Sequence, residues 1–349
     1  MANKRIYWAV QACGISPENS TQYTQLHGIQ SVGMTTTFNL EQAFELGQLE
    51  IYEQIEDIPD VEVTLEKVLD GHPLLFHEAT QGAGTGATLA ARSNQKCGLA
   101  LSIFGDTQTA ASGTPVAEVN CSGMYLSSVS YTIPVDGNCT ESVTLVGNHR
   151  VWRAATGGLV TSPTFSGILF DNTDAPSATE GIQKRENIKF GSLLDGTYTL
   201  LPSGYGGVQG ISSSGTNDLD SDNQYGAHVQ SITISADFGR DATFELGRKK
   251  PYFRFISWPV EVTTEISIIA TEGDGVSATE EGIKGNGNNL DNNRILVVLD
   301  DSTKIDTGSK NKLTSISYSD GDAGGGNVMC TYSYTTFNEL LVTQTNDPG

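Results

Sequence analysis

Residues 29–64 of this chain return, altered but recognisable, at residues 229–263. The first tract reads IQSVGMTTTFNLEQAFELGQLEIYEQIEDIPDVEVT and the second VQSITISADFGRDATFELGRKKPYFRFISWPVEVT. Up to the proline they align without a gap. Gln30 and Ser31 match Gln230 and Ser231, and Phe38 matches Phe238. Phe44-Glu45-Leu46-Gly47 matches Phe244-Glu245-Leu246-Gly247, Tyr52 matches Tyr252, and Pro59 matches Pro259. A one-residue deletion then sets Val61-Glu62-Val63-Thr64 against Val260-Glu261-Val262-Thr263. A repeat this long means that one structural unit is built twice, and it constrains every later assignment.

Each copy opens on alternation: Val32, Met34, Thr36 and Phe38 in the first, Ile232, Ile234, Ala236 and Phe238 in the second. Period two marks a half-buried strand. The tract after the proline alternates as well. Between these strands, residues 40–55 could form an amphipathic helix. Pro251 and the aromatic pair Tyr252-Phe253 argue against one in the second copy. The expectation is at most one helical turn ending at Gly47 and Gly247, followed by a long ordered loop.

The similarity extends further. LSSVSY at 126–131 is echoed by LTSISY at 313–318, and the strand-like 99–104 by 295–299. The turn signal Asp136-Gly137-Asn138 reappears, with an insertion, in 320–327. The expected organisation is a first domain over 1–150, an ordered connector over 151–226 and a second domain over 227–349. The connector has no visible counterpart. Its apolar anchors, among them Phe165, Phe170 and Phe190, are unlike a plain flexible linker. The lead-in holds a short strand at 6–10 and a polar loop over 16–24.

Composition restricts function. With 41 acidic and 20 basic residues, the 349-residue chain carries a net charge of −21. That field disfavours tight nucleic-acid binding, which needs cations on phosphates. Abundant Gly, Ser, Thr and Asp without long helical periodicity favour an all-β fold. The five cysteines (13, 97, 121, 139 and 330) are odd in number and contain no C-x-x-C, so neither a disulfide framework nor a zinc knuckle is signalled. The first residues lack a secretory signal, and no tract is apolar enough to span a bilayer. Folding in a reducing cytoplasm is expected.

Motifs for chemistry are weak. His72 and His77 flank a short helix opening at Pro73, without the spacing of a zinc protease. Gly82-Ala83-Gly84-Thr85-Gly86 lacks the strand and helix of a phosphate loop. Asp218-x-Asp220-x-Asp222 begins like a calcium loop but has Asn223 at the sixth place and Val229 at the twelfth. No nucleophile, Walker or metal motif is present. The chain is read as not an enzyme, with no catalytic, cofactor or metal residues and no cofactor.

The stretch 29–71, followed by SVSYTIPVDGNCTESVTLVGN at 128–148, resembles a bacteriophage tail tube protein, and the resemblance returns more faintly over 229–342. It implies an all-β fold with short helices: tandem tube-like β-sandwiches whose inner sheets join a ring-shaped β-barrel, six domains to a ring. It further implies a structural virion protein, assembled in the host cytoplasm, whose stacked rings conduct DNA without binding it specifically. The implied partners are further copies of itself, a tape measure protein, tail terminator and baseplate proteins, and a sheath protein if the tail contracts. No membrane is involved. The usual family member has one domain, and this chain has two, so the expectation is a trimeric ring with pseudo-sixfold symmetry. The alternative is another phage structural β-sandwich protein, at the tail tip or as a decoration subunit.

The copies differ in charge. The first loop carries Glu45, Glu50, Glu53 and Glu56, and the matching region of the second carries Arg248, Lys249, Lys250 and Arg254. Opposite signs on alternating domains would fix register. These eight residues are the expected contacts between domains or between rings.

Overall fold

The alternating tracts of the first copy become β3 (Ile29–Thr37) and β6 (Asp60–Val68), paired antiparallel. Those of the second become β13 (His228–Asp237) and β16 (Glu261–Ile269), paired in the same way. The computed structural model describes residues 11–18, 20, 22–104, 115, 117–154, 169–171, 181–190, 228–269, 295–319 and 326–349. The expected strand at 6–10, the aspartates at 218–222 and most of the turn at 320–327 lie outside them. Before β3 come β1 (Gln11–Pro17) and β2 (Gln22–Gln25), and between β3 and β6 lie β4 (Leu40–Phe44) and β5 (Ile51–Glu56). Two short helices follow, α1 (Leu75–Ala79) and α2 (Leu89–Arg92). Then come β7 (Cys97–Ile103), β8 (Ala117–Pro134), β9 (Thr140–Gly147) and β10 (Arg150–Ala154). The connector contributes β11 (Leu169–Asp171) and β12 (Ile188–Phe190). The second copy adds β14 (Arg240–Thr243) and β15 (Phe253–Ile256) between its paired strands. It ends with β17 (Leu296–Leu299), β18 (Lys304–Asp306), β19 (Lys312–Ser319), β20 (Met329–Phe337) and β21 (Leu341–Thr343).

The two repeat tracts sit in matching ladders. In the first copy β3, β6, β9 and the C-terminal part of β8 make one sheet, in that order. In the second, β13, β16, β20 and β19 make its equivalent. Even the bulges correspond: β8 shifts register between Leu126 and Ser128, and β19 between Leu313 and Ser315. The other sheet of the first copy carries β1, β7, the N-terminal part of β8, and β10. Its counterpart is the four-stranded β12-β17-β18-β21. The connector therefore has a counterpart after all, because β12 lies antiparallel to β17 as β1 does to β7. Three residues are too few for sequence similarity to betray this. Its other strand, β11, runs parallel to β2 of the first copy.

Three local expectations are corrected. Residues 40–56 and 240–256 are β-hairpins, not a helical turn and loop. At each tip the Glu45 or Glu245 carbonyl accepts from the N–H three residues on, and Gly47 (φ 92°) and Gly247 (φ 85°) supply the positive φ that such a turn needs at its third place. Both faces of the first hairpin are largely exposed, so it lacks the in–out contrast by which strands are recognised. Second, the match after the proline is shifted by two. Val61 lies opposite Thr36 and Val262 opposite Ala236, so Val61 corresponds to Val262 and not to Val260. A two-residue shift keeps each side chain on its face, which is why the sequence tolerated the wrong alignment. Third, strands enter the polar run 16–24. Ser16 and Pro17 pair with Gly98 and Cys97 of β7, and Tyr23 in β2 is buried.

One apolar core serves both copies, joining Val63, Leu65 and Val143 to Ile232, Ile266 and Tyr332. Helix α1 starts two residues beyond Pro73 and caps the core of the first copy. The buried Glu141 carboxylate accepts from the N–H groups of Leu75 (2.6 Å) and Phe76 (3.0 Å) and from the Tyr131 hydroxyl (3.0 Å). Burial nonetheless pushes its carboxyl above the usual range. Lys67 of β6 lies opposite Glu141, and the positions corresponding to these two hold Ile268 and Cys330, so this polar anchor belongs to the first copy.

Candidate assembly interface

The copies meet along a seam. Antiparallel pairing of β8 with β13 runs from Pro134 opposite Ser231 to Ser128 opposite Asp237. These two sheets thereby become one antiparallel sheet in the order β3-β6-β9-β8-β13-β16-β20-β19. Beyond the paired strands, the Phe238 N–H donates to the Ser127 carbonyl (2.9 Å) and Arg240 Nε to the Leu126 carbonyl (2.7 Å).

The β14–β15 hairpin leans from this seam onto the first copy. Phe253 meets the Tyr125 ring edge-on at 5.2 Å, a favourable aromatic geometry. The Arg240 guanidinium lies 5.2 Å from the centre of the same ring, and Lys96 Nζ lies 5.5 Å from it. Burial lowers the Arg240 pKa to about 10, with the Arg254 charge adding to the effect. Arg254 Nη2 reaches the Asp60 carboxylate at 2.6 Å and the Asn148 side-chain Oδ1 at 3.0 Å. Burial raises the Asp60 pKa, but Asn39, Arg254 and Asn148 outweigh it and hold the group below its usual value. Between the hairpin and the first copy lies a cleft of about 490 Å³, bordered by Tyr23, Lys96, Asn120, Tyr125 and Lys250.

The sheet is open at both ends. Among the described residues no strand flanks β3 or β19 on the outer side. Corresponding residues record the difference. Phe238 beside the seam is 1% exposed, whereas Phe38 beside the open edge is 66% exposed. Ile232 and Ile234 are buried while Val32 and Met34 are half-buried. Across the seam, Val129 is buried and its counterpart Ile316 half-buried. Open edges with apolar margins are the surfaces to which further strands add.

Of the eight expected contact residues, three come together within the chain's own seam region. Lys249 Nζ donates to the Glu56 carbonyl (2.7 Å), and Arg254 grips Asp60 on the strand that follows. Arg248 pairs inside its own hairpin with Glu245 (3.0 Å), and Lys250 lies near His149, lowering its pKa after burial has done so. Glu45, Glu50 and Glu53 are exposed on the first hairpin. Asp60, Tyr125 and Phe253 were missed in the sequence. A carboxylate or an aromatic in a strand has no motif, and only the pairing reveals its partner.

The remaining candidates have structural surroundings. His72 stacks on His27 at 4.3 Å, and buried His77 hydrogen-bonds the Val342 carbonyl (3.1 Å). No cluster fit to hold a metal occurs among the described residues. The 82–86 loop receives the C-terminal segment, with the Gly86 N–H donating to Asp347 Oδ2 (3.1 Å). All five cysteines are free and buried. No described helix is long and apolar enough to cross a membrane.

No protein-family model and no curated protein matches the chain. Among solved structures, it is similar to the tube-terminating cap of the anti-feeding prophage, at 11% identity and a TM-score of 0.32, covering 44% of this chain and 95% of that one. It is similar to a chain of the anti-feeding prophage baseplate at 11% identity and 0.33, covering 44% and 99%. A chain of the sheath–tube complex of an extracellular contractile injection system, PVC, in the extended state matches at 11% identity and 0.33, covering 44% and 95%.

Proposed function

We propose that this protein is a structural subunit of a phage-tail-like tube, in which three chains close into a ring and rings stack into a conduit for DNA. The observation that carries this reading is the seam. Pairing of β8 with β13 already joins two sandwiches edge to edge. The free edges β19 and β3 are the counterparts of those two strands. A surface that binds its own complement head to tail generates a ring if the rotation closes, and closure removes the open edges. The family resemblance supplies the six-domain ring, hence three fused pairs. The exposed apolar tips, Leu46 and Leu246 among them, would contact the next ring. A net charge of −21 suits a conduit through which nucleic acid passes without sticking.

Negative-stain microscopy of the purified chain tests this. Stacked rings or uniform tubes are expected, with mass photometry giving three chains to the smallest closed species. A protein that stays monomeric at every concentration overturns the proposal.

A further inference from the structure

Resting on that ring reading, we infer that the edge of β19 in one chain pairs with β3 of the next in a single register. Strand correspondence fixes it. Tyr131 corresponds to Tyr318 because each lies directly opposite an equivalent partner, Glu141 and Cys330, beyond equivalent bulges. Ile234 corresponds to Met34 because they face Thr264 and Val63 in matching ladders. Inside the chain Ile234 lies opposite Tyr131 and Ser235 opposite Ser130. Between chains, Met34 therefore lies opposite Tyr318, Thr35 opposite Ser317, and Thr36 opposite Ile316. Parity agrees: Thr35 and Ser317 are exposed, whereas Met34 and Ile316 pack against the core.

The same correspondence predicts different chemistry at the two kinds of seam. Tyr125, which receives Phe253 and Arg240 within the chain, corresponds to Lys312. Phe253 corresponds to Glu53, and Arg240 to Leu40. An aromatic–cation cluster inside the chain is thus replaced between chains by an acid on the hairpin facing a base on β19. Such a difference discriminates the right junction from the wrong one.

The chain is prepared with Thr35→Cys and Ser317→Cys together, and separately with Thr35→Cys and Ser315→Cys, a slip of two residues. The native cysteines are buried and do not compete. On oxidation, the first pair should give disulfide-linked multimers ending at the closed ring, and the slipped pair none. Independently, Lys312→Glu should raise the concentration needed for assembly by about fivefold, and adding Glu53→Lys should restore it. Rings that form normally while the slipped pair cross-links instead, or a charge swap that fails to rescue, overturn the register and leave the ring reading standing. Failure of the unmodified chain to form rings overturns both.

Discussion

At the scale of single residues, the C-terminal segment is held by a buried charge cluster. Asp347 pairs with Arg92 at 2.6 Å, both almost fully buried, and lies 3.8 Å from His77. Burial lowers the His77 pKa to about 4, with the Arg92 charge adding to it and Asp347 opposing. A lowered histidine pKa means that the unfolded chain takes up the proton first. The contribution of His77 is therefore complete above about pH 6.5 and is lost as pH falls towards 4. Burial raises the Asp347 pKa too, but His77, the N–H groups of Gly86 and Gly349, and Arg92 bring it below normal, so its share is lost only at lower pH. Glu141, raised by burial, works in the opposite sense. Urea unfolding of the wild type and of His77→Gln isolates the imidazole. The wild type should lose on the order of 2–3 kcal/mol relative to the variant between pH 6.5 and 4. None of this was legible in the sequence, because His77 and Asp347 are far apart along the chain and carry no motif spacing.

At the scale of elements, the paired strands were largely legible, and the hairpins were not. β8 and β9 follow from alternation and the turn at Gly137, and β19 follows from its echo of β8. The hairpins show too little contrast between their faces, and only the pairing of Ala43 with Glu53 and of Thr243 with Phe253 identifies them. The two phenylalanines at the hairpin bases provide a test. Phe238→Ala empties a packed site and should cost about 3–5 kcal/mol in monomer stability. Phe38→Ala removes an exposed ring, so it should change thermal unfolding of the monomer by less than about 0.5 kcal/mol while weakening assembly. Calorimetry and mass photometry on the two variants separate these outcomes. Equal losses of stability would show that Phe38 is packed within the single chain.

At the scale of the whole molecule, the sequence repeat was visible, and the extent of the matching strand pairings was not. The repeated tracts located β3, β6, β13 and β16, whereas the matching of β12 to β1 and of β21 to β10 rests on short segments that only register can align. The copies share a core and seven paired positions along the seam. A protease site inserted near residue 205 and then cut should therefore leave two fragments that co-elute as one species in size-exclusion chromatography. Fragments that separate without denaturant would show that the polypeptide link, and not the seam, holds the copies together. The seam also bears on kinetics. In the proposed ring, half of the junctions are already made inside single chains by the β8–β13 pairing, so the molecularity of nucleation is halved, and circles with an odd number of sandwiches cannot arise from whole chains.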